Sequence, residues 1–122
     1  MSEITKSWDI SEAGGHESLR VFIDDRVNKY RQQRDIPSVQ GTSRLSPYLH
    51  FGQLSPHQAW HAVSHLPQSD DADTFLSELG WREFSYSQLY YHPDLSHENV
   101  KKKYDAFPWI NDGSVLSAWK KG

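Results

Sequence analysis

An all-α fold is predicted by three features of this sequence. Apolar residues recur at helical spacing in long stretches, Ser-Pro pairs sit where helices start, and no segment alternates apolar and polar residues between hairpin turns. With 122 residues the chain is long enough for one core, and a domain near this size buries roughly two-thirds of the surface that its unfolded chain exposes.

Residues 1–11 show no helical period and read as a linker or arm, with Gly14-Gly15 as a flexible lead-in to the first helix. From about His16 to Gln33, the positions Leu19, Phe22, Ile23, Val27 and Tyr30 keep one face of a helix apolar. Arg34-Asp35-Ile36-Pro37 ends it, because the residue before a proline is pushed out of the α region. Leu45-Ser46-Pro47 and Leu54-Ser55-Pro56 each place a Ser N-cap before a proline at the first helical position. Gly52 closes the first of these helices. Gln58 completes a capping-box pattern in the second, which is expected to run to about Leu66 with Ala59, Trp60, Val63 and Leu66 buried. Asp70-Asp71-Ala72-Asp73 puts negative charge where the helix dipole favours it. Phe75, Leu76, Leu79, Tyr86, Leu89 and Tyr90 then supply the apolar stripe of the longest, central helix, and His92-Pro93 stops it. After an irregular stretch, Asp112-Gly113-Ser114 opens a last short helix through Trp119.

Thirteen Lys and Arg against sixteen Asp and Glu give a net charge of −3, so contact with nucleic acid has to come from a local patch. The absence of Cys excludes disulfides, thiolate zinc sites and cysteine-ligated iron–sulfur clusters, and suits a reducing cytoplasm. No stretch has signal-peptide or membrane-span character, so a soluble cytoplasmic protein is expected. Five Trp, six Tyr and five Phe stand out in an otherwise polar chain; such rings fill cores and also stack on flat ligands.

Four constellations carry possible chemistry. Gly41-Thr42-Ser43-Arg44-Leu45-Ser46-Pro47 concentrates backbone N–H groups, hydroxyls and one cation. Taken alone it reads first as ordinary helix caps and second as an anion cradle suited to phosphate. Glu78, Trp81 and Arg82, at i, i+3 and i+4, bring a carboxylate, an indole and a guanidinium onto one strip with Gly80 among them. The plain alternative is a helical Glu–Arg pair beside a packing Trp. Tyr30 and Arg34 form another i, i+4 pair, explained equally by a last core residue and a cation answering the helix dipole. His57, His61 and His65 form a row of a kind that can hold zinc or copper, but no carboxylate or Cys supports them on that helix, and a solvated face is the better reading, with no metal expected. Lys101-Lys102-Lys103 likewise reads as a solvated turn, with contact to phosphate as the alternative. No P-loop, Rossmann glycine pattern, nucleophile elbow or zinc-protease motif is present.

Read together, several motifs resemble the DNA photolyase and cryptochrome family in order and spacing. They are Tyr30 with Arg34-Asp35-Ile36-Pro37, Gly41 through Leu49, Phe51-Gly52, Leu54-Ser55-Pro56, and Glu78-Leu79-Gly80-Trp81-Arg82-Glu83-Phe84. The resemblance runs from about Trp8 to Trp119 and covers the beginning of that family's helical flavin domain. It implies residues 12–122 as the first half of an FAD-binding domain, truncated, and 1–11 as a linker following an absent antenna domain. It implies a blue-light-driven repair lyase in which excited reduced FAD passes an electron to a cyclobutane pyrimidine dimer flipped out of DNA. By matching position, Tyr30 and Thr42, Ser43, Arg44, Leu45 and Ser46 are expected to bind FAD, chiefly its phosphates. Trp81 is expected to border the flavin and stack on the dimer, and Glu78 to hydrogen-bond the dimer and stabilise its radical anion. Arg82 is expected between cofactor phosphate and DNA, and Arg34 on the DNA backbone. Trp109 matches the surface end of a tryptophan relay, although a core Trp after a proline turn explains it as well. Phe75 stands where some members carry a tryptophan beside the cofactor. The expected fragment is inactive alone and self-associates through surface left by the missing half. The alternatives are a cryptochrome, which signals without repair, and a non-catalytic helical module that binds nucleic acid or a partner helix.

Overall fold

A computed structural model describes residues 8–108 and 110–122. Among these residues the regular structure is entirely helical, as the sequence predicts. The chain divides into two compact units, one ending at Tyr86 and the other spanning Ser87–Gly122.

In the first unit, α1 covers Glu12–Val21. It starts a turn earlier than the apolar period alone indicates, because the Ser11 side chain accepts the Gly14 N–H at 3.0 Å and so caps it. Gly14-Gly15 is therefore not a flexible lead-in. Both glycines are buried in the first turn, where a Cβ on Gly14 would lie 2.5 Å from the Asp9 carbonyl oxygen and one on Gly15 would lie 3.2 Å from the Tyr48 ring.

The helix then widens into a π turn over Phe22–Arg26, closed by the Val27 N–H bonding to the Phe22 carbonyl. It tightens to a 3₁₀ turn over Val27–Lys29 and resumes as α2, Tyr30–Gln33. The wider turn keeps Phe22 and Val27, five residues apart, both buried.

The Ser-Pro pairs differ. In α3, Ser46–His50, the N-cap is Leu45 and no side chain caps the helix. Ser46 is inside the helix, not its cap, because Leu45 already has αR dihedrals. Gly52 then takes φ +74°. In α4, Pro56–Ser64, the capping box is complete: the Ser55 hydroxyl accepts the Gln58 N–H at 3.1 Å, and the Gln58 side chain accepts the Ser55 N–H at 2.8 Å. Ala59 and Val63 are buried, while Leu66 is partly buried past the helix end. Trp60, expected inside, is 44% exposed; Ala62 is packed against the core.

The core unites Leu19, Phe22, Val27 and Tyr30 with Leu45, Tyr48, Leu49, Leu54, Ala59, Val63, Ala72, Phe75 and Leu79. At its centre Phe22, Tyr30 and Phe75 form a triangle of rings with centroids 4.6 to 5.5 Å apart. Aromatic pairs of this kind are each worth about 0.5–1.5 kcal/mol beyond the area they bury. Phe75 is thus a core residue.

The longest helix, α5, runs Asp70–Tyr91. The Ser69 hydroxyl accepts the Ala72 N–H, and the Asp71 carboxylate accepts the Arg31 N–H at 2.8 Å, joining α2 to the acidic start of α5. Its stripe is buried at Ala72, Phe75 and Leu79, but Tyr86, Leu89 and Tyr90, expected to continue it, are exposed. Within the second unit, 3₁₀ turns at Pro93–Ser96 and Lys102–Tyr104 precede α6, Gly113–Lys121, which Asp112 caps by accepting the Ser114 N–H at 2.7 Å. No described residue after Leu79 is buried.

Candidate functional site

Tyr30, Arg34 and Glu78 meet where the end of α2 faces α5. The Tyr30 ring closes the aromatic triangle and is 9% exposed. Burial pushes its hydroxyl pKa up, against the Arg34 guanidinium beside it. Arg34 lies with its guanidinium carbon 5.9 Å from the ring centroid and is ion-paired with Glu78. That carboxylate, accepting its hydrogen bond, is the main cause raising the Arg34 pKa. The helical Glu78–Arg82 pair that spacing suggests is thus replaced by a pair across elements.

One turn beyond Glu78, Trp81 is 62% exposed, with its ring edge-on to Phe84 at 5.7 Å. Trp81, Phe84, Leu76 and Gly80 line an open, largely apolar groove of about 740 Å³ with Trp60 from α4. A Cβ on Gly80 would meet nothing within 4 Å, so the backbone of α5 lies open there. Arg82 points to α3: it donates to the Leu49 carbonyl at 3.1 Å, pairs with Glu83, and sits 4.6 Å from the centroid of the Tyr86 ring.

The loop before α3 has a different geometry from a pair of helix caps. Gly41 is buried against the end of α2. Arg44 has φ +56°, uncommon for a residue with a side chain. Its guanidinium carbon lies 4.2 Å from the centroid of the Trp8 ring. Leu45 is in the core, and its N–H bonds to the Ser43 hydroxyl. Thr42 and Ser46 are exposed, and the Ser46 hydroxyl caps no helix. This donor set of hydroxyls, backbone N–H groups and a guanidinium fits a diphosphate. Ser43, Arg44, Arg26 and Trp8 line part of a cleft of about 270 Å³.

Sequence reasoning missed two supports of this loop. Arg26 donates to the Thr42 carbonyl at 3.5 Å and to the Gln40 side chain at 3.3 Å, and no local pattern announces it. Trp8, placed in the arm, lies partly buried against the core; an isolated aromatic residue in a polar stretch was its one signal. Beside it, the Tyr48 hydroxyl donates to the Asp9 carbonyl at 2.8 Å. Trp109 lies outside the described residues. Of the lysine run, Lys102 pairs with Glu98 at 2.7 Å.

Comparison with known proteins gives consistent matches. Residues 75–122 match the family model described as the FAD binding domain of DNA photolyase. The deoxyribodipyrimidine photo-lyase of Agrobacterium fabrum is 38% identical over 118 residues, covering 94% of this chain and 25% of that protein. That of Escherichia coli is 37% identical over 123 residues, covering 97% and 26%. A crystal structure of a bacterial class III photolyase from Agrobacterium tumefaciens superimposes with a TM-score of 0.84 at 37% identity, over 96% of this chain and 25% of that one. The chain thus spans about a quarter of the length of the relatives it matches.

Proposed function

We propose that this chain, which belongs to the DNA photolyase family, forms one wall of the flavin and lesion site of a blue-light-driven lyase that splits cyclobutane pyrimidine dimers. The observation that carries this reading is the cluster of Tyr30, Arg34 and Glu78, with the exposed face of Trp81 one turn further along α5.

The Thr42-to-Ser46 loop and Tyr30 would hold FAD by its diphosphate, with Arg82 at the border of cofactor and DNA. FAD, when bound, supplies the light-driven electron. The chain's own residues do the positioning. Trp81 offers a flat apolar face to the two linked bases of a lesion that has left the stack, a step that costs least for a damaged site. Gly80 lets that group approach the helix backbone. Glu78 accepts hydrogen bonds from the polar edge of the lesion, and its pairing with Arg34 holds it in place. Arg34 also supplies charge for a DNA phosphate, a local patch in a chain whose net charge is negative.

The complete gene product carrying this sequence tests the reading. Purified with bound FAD, it is expected to repair dimer-containing DNA under blue light and not in the dark. Trp81→Ala is expected to weaken binding of that DNA by more than about 1 kcal/mol, the low end for base–aromatic stacking. Bound FAD without light-dependent repair would move the chain to the signalling branch of the family, and unchanged affinity in Trp81→Ala would remove the stacking role.

A further inference from the structure

We infer that His57 and His61 form a two-imidazole site for a divalent transition-metal ion, copper(II) before nickel(II) or zinc(II), on the exposed face of α4. The site is independent of the flavin reading. The Ser55 capping box fixes the start of α4, so positions 57 and 61, one turn apart, share a helix face. Their Nε2 atoms stand 3.2 Å apart, with ring centroids separated by 4.4 Å. Two nitrogens bound at ~2.0–2.1 Å to a single ion subtend about 100° at that separation, between square-planar and tetrahedral angles.

Without metal, one Nε2 carries the proton that the other accepts. On binding an ion that proton moves by way of solvent to the Nδ1 of the same ring, so that both neutral imidazoles ligate through Nε2 and no net proton is released. The third histidine is committed differently: His65 Nδ1 lies 2.6 Å from the His61 carbonyl oxygen, and its ring stacks on His61 at 5.8 Å. Among the described residues no three His, Cys, Asp or Glu side chains are grouped to share an ion. The site therefore offers two protein ligands and leaves the remaining positions to solvent, which makes it exchangeable and distinct from a structural metal centre.

The test uses the untagged 122-residue chain, titrated separately with copper(II), nickel(II) and zinc(II) in competition with a coloured chelator. One copper(II) per chain is expected, bound more tightly than the other two ions. Pulsed electron paramagnetic resonance is expected to count two coupled imidazoles. His57→Gln and His61→Gln should each weaken binding at least tenfold and reduce the count to one, with helix content by circular dichroism unchanged, while His16→Gln and His92→Gln should bind as the parent does. Parent-like affinity in folded His57→Gln, or a single imidazole in the parent spectrum, overturns the assignment.

Discussion

A methyl group on Gly41 would lie 2.4 Å from the Gln33 Cβ and 2.7 Å from its carbonyl carbon and oxygen, whereas one on Gly80 meets nothing within 4 Å. Backbone at the end of α2 cannot yield to the first, so Gly41→Ala is expected to destabilise the chain by about 1–3 kcal/mol, as overpacking does. Gly80→Ala is expected to act in the opposite direction, stabilising α5 by about 0.5–1 kcal/mol through helix propensity. Urea unfolding of both variants checks the pair, and equal midpoints would contradict it. The sequence marks Gly80 because glycine is costly inside a helix, and open space beside Trp81 is what the structure supplies. Gly41 is legible only as part of a small-residue loop; its close approach to Gln33 depends on how α2 ends. The Arg34–Glu78 pair is likewise hidden, since each residue has a nearer helical partner at i, i+4.

Helix starts are legible where a side chain, and not only a proline, fixes them. Ser55 and Gln58 satisfy each other's backbone N–H groups, while Ser46 sits behind a cap that makes no side-chain bond. Ser55→Ala is therefore expected to cost about 1 kcal/mol, and Ser46→Ala less than about 0.5 kcal/mol, the range of ordinary surface changes. Thermal unfolding of the two variants side by side reads the difference. The same Ser-Pro signal thus has two outcomes: the cap is the αR residue Leu45 in α3 and the extended Ser55 itself in α4. The period of the first long helix also reads as unbroken, although a π turn lies inside it: the offsets from Leu19 to Tyr30 suit both geometries.

Every buried hydrophobic side chain among the described residues lies in the unit that ends at Tyr86. Along the rest of α5, Leu89, Tyr90 and Tyr91 are 46%, 81% and 73% exposed, and Trp119 in α6 is 82% exposed. Apolar residues left uncovered in such number promote association. Sedimentation velocity is expected to show a concentration-dependent rise in apparent mass for the isolated chain, and a constant monomer over a hundredfold range would contradict this. The fold class is legible as a whole because helical period and capping agree along the chain. Which half of the α5 stripe is covered is not, since period identifies an apolar face without identifying what packs on it. The family is legible because motifs far apart in sequence keep their spacing. Spacing also has a particular latitude at one place in the molecule. Asp24 and Asp25 are exposed and lie in the turn that holds one residue more than an α-helical turn would. Deleting either would leave Phe22 and Val27 four residues apart, the spacing of an ordinary α turn, so the segments on both sides keep their facing and this surface turn can shorten by one residue where a regular helical turn would rotate its flanks by about 100°.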